Sequence, residues 1–296
     1  MVLRKKHFSI SNIVAHFVLI AGGFIMIYPL IFIIMSSFFT AVEFNSTKIG
    51  FFPIANNPTW ANIKMLFFVG IDKSILIYYQ NTILRTIYGT FNACLTALLA
   101  GYTFARLKFK GRDILFFVFL ATTMLPTVFS AMPTFLVLYY FPFGGRTGLY
   151  DTMGAYVLIN GPVINIMGMF LVRQTIMAMP NSLEEAAKID GAGRARIIFQ
   201  IVLPMIRSVI GYIAIINAIG LWNDWQVAFF FTRSDNLQVL ASALTRLTRY
   251  SAQAGLMPDF PAMMALSLLL AIPSGIIFFV FQKNIVQGLM SAGIKG

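Results

Sequence analysis

The sequence is poor in charged residues, cysteine and histidine, and each shortage excludes a class of protein. Only 11% of its 296 residues are charged, less than half of the roughly 25% that soluble globular domains carry. The single cysteine, Cys94, and the two histidines leave no intrachain disulfide and none of the Cys and His clusters that bind zinc or iron. A soluble fold and a metal centre are therefore not indicated, and the bilayer is the expected solvent.

Long uncharged windows stand where a soluble protein would carry charges. Five of them hold between twenty and thirty-two consecutive residues without Asp, Glu, Lys or Arg, and a membrane-spanning helix needs about 20 apolar residues. A sixth, less uniform window is apolar apart from Gln200, Arg207 and Asn217. The pattern predicts an all-α polytopic membrane protein with six spanning helices, at about 13–37, 81–105, 114–138, 152–176, 198–222 and 261–282.

The first span is expected to remain in the mature protein, because its apolar stretch exceeds the ~7–15 residues of a signal-peptide core. Proline removes a backbone hydrogen bond inside a helix and bends it. Bends are therefore expected at Pro126 and Pro133 in the third span and at Pro204 in the fifth, and a break is expected at Gly161–Pro162 in the fourth. Neither an internal repeat nor a separate soluble domain is evident, so residues 1–296 are expected to form one membrane domain.

The net charge of +12 comes from basic residues near the ends of the spans. Numbered from an inside N-terminus, the inside segments hold thirteen Lys and Arg residues and the longer outside segments hold seven. The positive-inside rule then places both termini in the cytoplasm, and nucleic-acid binding is not indicated. The inside residues are Arg4, Lys5, Lys6, Arg106, Lys108, Lys110, Arg112, Arg173, Lys188, Arg194, Arg196, Lys283 and Lys295.

The segment SLEEAAKIDGAGRARIIFQIVLP, which begins at Ser182, concentrates charge between the fourth and fifth spans. Ser182 and Glu185 have the spacing of a capping box, Glu184 and Glu185 suit the positive end of the helix dipole, and Gly191 suits a C-terminal cap. These signals predict a two-turn helix over 183–190. Isolated helices shorter than ~12–15 residues are marginal, so it must rest on something. Either it covers lipid headgroups, or it docks into a groove of another protein.

The spacing within this segment resembles the EAA loop of ABC importer permeases at every defining position, and its IDGA resembles the carbohydrate-uptake branch. Four other stretches resemble the smaller, six-span subunit of the maltose-permease type. The resemblance covers about residues 80–296. The four stretches are NTILRTIYGT, ARLKFKGRD, LWNDWQVAFFF and GLMSAGIKG.

The resemblance implies a type I ABC importer permease domain over 1–296, with a coupling loop at about 178–204, in the bacterial cytoplasmic (inner) membrane. It implies pairing with a second, related permease, two cytoplasmic ATPase subunits that bind ATP and Mg, an extracytoplasmic solute-binding protein and a sugar or oligosaccharide substrate. No cofactor is expected on this chain. The implied ATPase-coupling residues are Glu184, Glu185, Ala186, Ala187, Asp190, Gly191, Ile201, Leu203 and Pro204.

A nucleotide-binding motif is missing from the sequence. A P-loop requires a Gly-Lys dipeptide, and this chain contains none, so ATP that drives transport must bind another chain and this chain is not expected to be an enzyme. The alternatives are a secondary transporter or channel that works without ATP and a membrane-embedded enzyme. Both would be expected to carry buried acidic or histidine groups, and the spans contain no clear acid.

Polar residues at membrane depth are costly and tend to face the bundle interior or a water-filled path. Asn and Gln can bind sugar hydroxyls, although the same side chains also join helices to one another. Arg85, about one turn inside its span, either snorkels to the interface or assists the entry of an acidic sugar. The substrate-path candidates are Asn160, Asn165, Asn217, Trp222, Asn223, Trp225, Gln226 and Arg85.

Overall fold

The computed structural model describes residues 10–46, 48–68, 75–161, 163–253 and 259–293. Within these ranges the chain is helical and contains no strand, which confirms the all-α class. A π-helix spans Ile197–Val202, and 3₁₀ turns span Gly145–Thr147 and Asp235–Leu237. The α-helices are α1 (Ile10–Ser36), α2 (Ala41–Ser46), α3 (Ala61–Phe68), α4 (Ile75–Arg106), α5 (Arg112–Thr122), α6 (Thr127–Tyr139), α7 (Met153–Ile159), α8 (Ile166–Met177), α9 (Ser182–Ile189), α10 (Arg194–Arg196), α11 (Leu203–Met205), α12 (Arg207–Asn223), α13 (Gln226–Phe231), α14 (Leu240–Gln253) and α15 (Phe260–Gly293).

Three of the described helices are long and apolar enough to cross a bilayer as continuous rods. They are Val14–Ser36 within α1, the whole of α4, and Phe260–Lys283 within α15. These helices correspond to the first, second and sixth expected spans. With 32 residues, α4 extends to about 48 Å at 1.5 Å per residue, so it is longer than the hydrocarbon core is thick.

The third and fourth expected spans are each broken into two helices near the positions where the sequence predicted a bend or a break. In the third, α5 and α6 are separated at 123–126, and Pro126 is the N-cap of α6, because a proline cannot continue the preceding helix. Pro133 lies inside α6. In the fourth, residues 160–165 separate α7 from α8, where a break at Gly161–Pro162 was expected; Pro162 itself lies outside the described residues.

The fifth expected span is bent rather than straight. The helical run from Arg194 to Met205 meets α12 at an angle of 81°, and Ile206 at the break has left the helical region with φ −99° and ψ 15°. Pro204 lies two residues before the break. The π-helix just before this bend is a rare conformation that often occurs at functional sites.

The chain divides into two compact units, each described separately, and the prediction of one domain over 1–296 stays a prediction. The first unit is drawn from Met1–Gly70 and Leu247–Leu269. In it the buried Asn62 side chain donates hydrogen bonds of 2.7 Å to the carbonyls of Ser37 and Phe39. These bonds tie the start of α3 to the end of α1.

The second unit, drawn from Ile71–Arg246 and Leu270–Gly296, is centred on α4, α8 and α12. Gly101 allows α4 to approach α8 closely, since a Cβ at this position would lie 2.5 Å from Cγ1 of Val172. The same core includes Ala187 of α9, so this short helix between the fourth and fifth spans is packed into the bundle. The buried side chains of this core are Ala97, Leu98, Tyr102, Val172, Ile176, Ala187, Ile197, Val202, Ile206, Val209 and Ile213.

Candidate coupling and substrate-path sites

The helix expected at 183–190 is present as α9, with a different N-terminus. It begins at Ser182, its N-cap is Asn181, and no side chain caps it. The expected N-cap role of Ser182, and with it the capping box, is therefore wrong, because Ser182 already lies within the first turn. The carbonyl of Asn181 accepts hydrogen bonds from the amides of Glu184 (3.0 Å) and Glu185 (3.1 Å).

The C-terminus of α9 confirms the cap expected at Gly191. This glycine has φ +77°, a left-handed conformation that side chains disfavour. Its amide donates to the carbonyl of Lys188 (3.1 Å), and the next amide, of Ala192, donates to the carbonyl of Ala187 (2.9 Å). These two bonds form a Schellman motif, which ends the helix sharply and turns the chain back towards α10.

The side chains of α9 divide into an inward and an outward face. Glu184 is only 3% exposed and Ala187 only 9%, whereas Glu185, Ala186 and Asp190 are exposed. The outward side also carries apolar Leu183 and Ile189, the latter 86% exposed. The outward face of α9 therefore combines exposed charged and exposed apolar side chains.

Glu184 is bound by groups at the end of α4. Its Oε1 accepts from Nε of Arg106 at 2.6 Å, and its Oε2 accepts from the Tyr102 hydroxyl at 3.0 Å. Nη2 of Arg106 also donates to the carbonyl of Met179 (3.0 Å). The charged hydrogen bond and the ion pair stabilise a carboxylate that burial would otherwise make costly. Glu184 thus fastens α9 to α4 instead of facing outward.

The later residues of the EAA pattern also divide between inside and outside. Ile201 and Leu203 are half-buried against the core of the second unit. Pro204 is exposed. These three residues lie in the chain between α9 and the 81° bend of the fifth span.

Three of the expected substrate-path residues meet at one cavity. Asn160, Asn165 and Asn217 line a space of about 190 Å³, together with residues that include Gly89 and Leu221. The cavity lies at the break between α7 and α8, facing α4 and α12. Non-helical backbone at membrane depth is tolerated where it lines a cavity, so this break fits a solute path.

Hydrogen bonds hold these asparagines in place. Asn165 caps α8, its Oδ1 accepting from the amide of Gly168 (2.8 Å), and its Nδ2 donates to Oδ1 of Asn217 (3.0 Å). Nδ2 of Asn217 and Nδ2 of Asn160 each donate to a backbone carbonyl four residues earlier. The expected alternative role, joining helices, is therefore present for Asn165 and Asn217 at the wall of the cavity.

Arg85 lies in a different place and is paired. It is 5% exposed, its Nη2 forms an ion pair with Asp224, and its Nη1 donates to the Asp224 carbonyl at 2.9 Å. The guanidinium carbon lies 5.3 Å from the ring centre of Tyr156, a cation–π distance. Arg85 lines a second cavity, of about 160 Å³, with Asn81 and Tyr156 among its neighbours. Snorkelling to the interface does not describe this buried side chain.

The cluster from Trp222 to Gln226 is not gathered at either cavity. Trp222 is buried and its Nε1 donates to the Leu270 carbonyl (2.9 Å), which is a packing role. Asn223 is exposed and donates to the Ile219 carbonyl and to the Ser274 hydroxyl. Trp225, 39% exposed, and Gln226 remain at the surface of the chain.

Sequence reasoning missed the residues that bind the candidate side chains. Asp224, the partner of Arg85, lies 139 positions away, and Arg106 and Tyr102, the partners of Glu184, lie 78 and 82 positions away. A weak signal was present for Asp224, since it directly follows the fifth span and could balance a buried arginine. Arg106 had been assigned only to the positive-inside charge.

Comparison with known proteins gives one family. The family model described as "Binding-protein-dependent transport system inner membrane component" matches residues 95–291. The matched region contains α9, the 81° bend and the three asparagines that line the cavity.

Curated relatives match over nearly the whole chain. The diacetylchitobiose uptake system permease protein NgcG of Streptomyces coelicolor is 27% identical over 280 residues, which cover 95% of this chain and 87% of the relative. The galactooligosaccharides transport system permease protein GanQ of Bacillus subtilis is 29% identical over 272 residues, covering 92% and 91%. The maltodextrin transport system permease protein MdxG of Bacillus subtilis is 28% identical, covering 97% of each chain.

Solved structures share the fold. A chain in the crystal structure of a bacterial ABC transporter involved in the import of the acidic polysaccharide alginate matches with a TM-score of 0.74 and 20% identity, covering 96% of this chain and 99% of that chain. A chain in the alginate transporter in complex with a periplasmic protein that holds an alginate pentasaccharide matches with a TM-score of 0.59 and 15% identity, covering 93% and 95%.

Proposed function

This chain belongs to the family of inner membrane components of binding-protein-dependent transport systems, and from this premise we propose that it forms half of the translocation path for a sugar or oligosaccharide. It is a multi-pass permease of an ABC importer. A secondary transporter or channel without ATP, the alternative that the sequence left open, is not supported by this membership. The saccharides in the names of its relatives support the substrate class.

The observation that carries the proposal is the two-faced helix α9. Its inner face is fixed by Glu184 and Ala187, and its outer face presents Glu185 among exposed apolar side chains, Leu183 and Ile189. A short helix that is held from behind and exposes apolar groups in front suits a helix-in-groove contact. We propose that this outer face seats in a groove of a cytoplasmic ATPase subunit, and that two such subunits bind ATP and Mg.

The cavity at the break between α7 and α8 is proposed as the part of the solute path contributed by this chain. Broken helices at membrane depth frequently form substrate sites in transporters, and Asn160, Asn165 and Asn217 supply amide groups at this one. Arg85 is proposed to act indirectly, because Asp224 occupies its guanidinium. Trp225 and Gln226, both exposed, remain substrate-path candidates in this proposal.

The remaining partners and the orientation follow from the same proposal. A second, related permease would complete the path, and a soluble binding protein would deliver the solute from outside. The excess of thirteen inside over seven outside basic residues supports a cytoplasmic location for both termini and α9 by the positive-inside rule. The proposed partners and the proposed orientation both refer to the assembled complex in the bacterial inner membrane.

Site-directed cross-linking after native purification tests the proposal. Cys94 is first replaced by Ser, and a single cysteine is then introduced at Ile189, which is 86% exposed, or at Ala187, which is 9% exposed. The chain is purified in mild detergent and the co-purifying proteins are identified. We expect a P-loop ATPase and a second permease in the complex, with cross-links to the ATPase from Ile189→Cys and not from the buried control Ala187→Cys.

Recovery of the chain alone, still able to move a sugar without ATP, would overturn the proposed function. Recovery of the ATPase with no cross-link from Ile189→Cys would keep the importer and reject α9 as the contact. The two results separate the function from its proposed site.

A further inference from the structure

Helix α4 carries two ion-paired arginines, Arg85 ten residues after its start and Arg106 as its last residue. The side chains of Arg85 and Arg106 are 2% and 14% exposed. They lie twenty-one positions apart in one helix, which is about 32 Å at 1.5 Å per residue, close to the ~30 Å thickness of the hydrocarbon core. The separation of the two charges therefore matches the thickness of the hydrocarbon core.

Each arginine holds a carboxylate from a segment outside α4. Arg106 pairs with Glu184 of α9 and also binds the carbonyl of Met179. Arg85 pairs with Asp224, directly after α12, and also binds the carbonyl of the same aspartate. Charged hydrogen bonds in a desolvated site are directional, so each pair fixes the position of its segment relative to α4.

Further polar contacts reinforce the outer attachment. Nδ2 of Asn81 donates hydrogen bonds of 2.8 Å to the carbonyls of Asn236 and Gln238. Thr82 accepts from the amide of Leu240 at 2.9 Å. The outer end of α4 thus holds the segment 224–240, called the outer segment below, by side chains from one helix face.

Between these attachments α4 is stiff and closely packed. Of the three described helices that could cross the bilayer as continuous rods, α1 contains Pro29 and α15 contains Pro273, whereas α4 contains no proline. Gly89 and Gly101 bring α4 so close to α12 and α8 that an added Cβ would lie 2.6 and 2.5 Å from side-chain atoms there. A displacement of one end of α4 is therefore transmitted to the other.

We propose that α4 is a connecting rod that couples α9 to the outer segment through its two arginine–carboxylate pairs. This inference rests on the proposed function. A shift of α9 driven by the ATPase moves the outer segment, and docking of the solute-binding protein outside moves α9 by the same route. The coupling between α9 and the outer segment acts in both directions. The two arginine–carboxylate pairs are the contacts that join α4 to each of them.

The test uses the complete complex in lipid nanodiscs and compares ATP hydrolysis with and without solute-loaded binding protein. Arg106→Gln and Arg85→Gln are each expected to lower the stimulation by at least fivefold while the subunit composition of the complex persists. The exchanged pair Glu184→Arg/Arg106→Glu is expected to restore part of the stimulation. Arg112→Gln is the control, because Arg112 pairs with Asp113, whose side chain is 58% exposed, and this ion pair lies outside both α4 and α9.

Wild-type stimulation in both glutamine variants would overturn the rod and leave the importer intact. If a variant does not assemble, amide exchange in the wild-type complex decides the question. Addition of loaded binding protein is expected to change the exchange of Ser182–Ile189 at least twofold, and identical exchange would reject the rod. A wild-type complex without an ATPase would instead contradict the proposed function.

Discussion

Replacement of Gly101 by Ala perturbs the contact between α4 and α8 with the smallest available change. A Cβ at Gly101 would lie 2.5 Å from Cγ1 of Val172, 2.6 Å from its Cβ and 3.1 Å from the carbonyl oxygen of Met169. Carbon atoms in contact normally lie about 3.5–4.0 Å apart. A rotation about χ1 of Val172 can move Cγ1 but not Cβ, so the helices themselves must separate.

Two opposing effects decide the sign of this change. Gly to Ala inside a helix gains about 0.8–1.0 kcal/mol of helix propensity, whereas overpacking a core costs about 1–3 kcal/mol. We expect an overpacking cost near the upper end of this range, because the Cβ of Val172, which no side-chain rotation can move, is one of the clashing atoms. We therefore expect Gly101→Ala to destabilise the chain by about 1–2 kcal/mol.

Gly211 provides the matched control within α12. It is half-buried, and a Cβ there would meet no atom within 4 Å among the described residues. Gly211→Ala is expected to be neutral or to stabilise by up to about 1 kcal/mol. The double variant Gly101→Ala/Val172→Ala should recover only part of the loss, because the Cβ of residue 172 remains.

The assay is thermal inactivation of the purified complex, scored as the fraction that stays monodisperse after heating. Unfolding of such complexes is commonly irreversible, so all variants are compared at one heating rate. The expected order of stability is Gly211→Ala, wild type, the double variant and then Gly101→Ala. A Gly101→Ala complex as stable as Gly211→Ala would refute the close-packing argument for α4 and α8.

Three further predictions concern polar contacts. Burial raises the pKa of Asp151, but hydrogen bonds from Ser234 and the neighbouring amide outweigh it and lower the pKa; Asp151→Asn should therefore reduce thermal stability at pH 7, and the deficit should vanish as the pH falls below about 4, with an unchanged deficit contradicting it. Asn165→Ala should remove the cap of α8, which costs about 0.5–2 kcal/mol, and should reduce uptake. Asn165→Asp should keep the cap and lose only the bond to Asn217. Equal stability of the two variants would count against Asn165 as the cap of α8. Arg85→Gln should lower uptake of neutral and uronic-acid sugars by the same factor, and a selective loss of the acidic sugar would show that Arg85 contacts substrate.

Much of the fold could be predicted from where the charges are missing. Uncharged windows located the three continuous spanning helices, since a helix in lipid must be apolar for about 20 residues. The local pattern also located α9 to within one residue and its left-handed cap at Gly191, because capping depends on neighbours in sequence. The family resemblance agreed with the comparison over 95–291.

The breaks and the pairings could not be predicted in the same way. An apolar window has the same composition whether one helix or two halves fill it, so only Pro126 marked the break before α6. The pairs of Arg85 with Asp224 and of Arg106 with Glu184 join residues far apart in sequence. For the same reason, the acidic first turn of α9 did not reveal that Glu184 faces inward while Glu185 faces out.

Uptake of a labelled oligosaccharide by vesicles that contain the complete complex tests the central claim most directly. ATP is supplied on the side of α9 and solute-loaded binding protein on the other side. The account predicts accumulation against a gradient that requires both, and its loss when a non-hydrolysable nucleotide replaces ATP. Equal accumulation by this chain alone, without ATP or any partner, would contradict it.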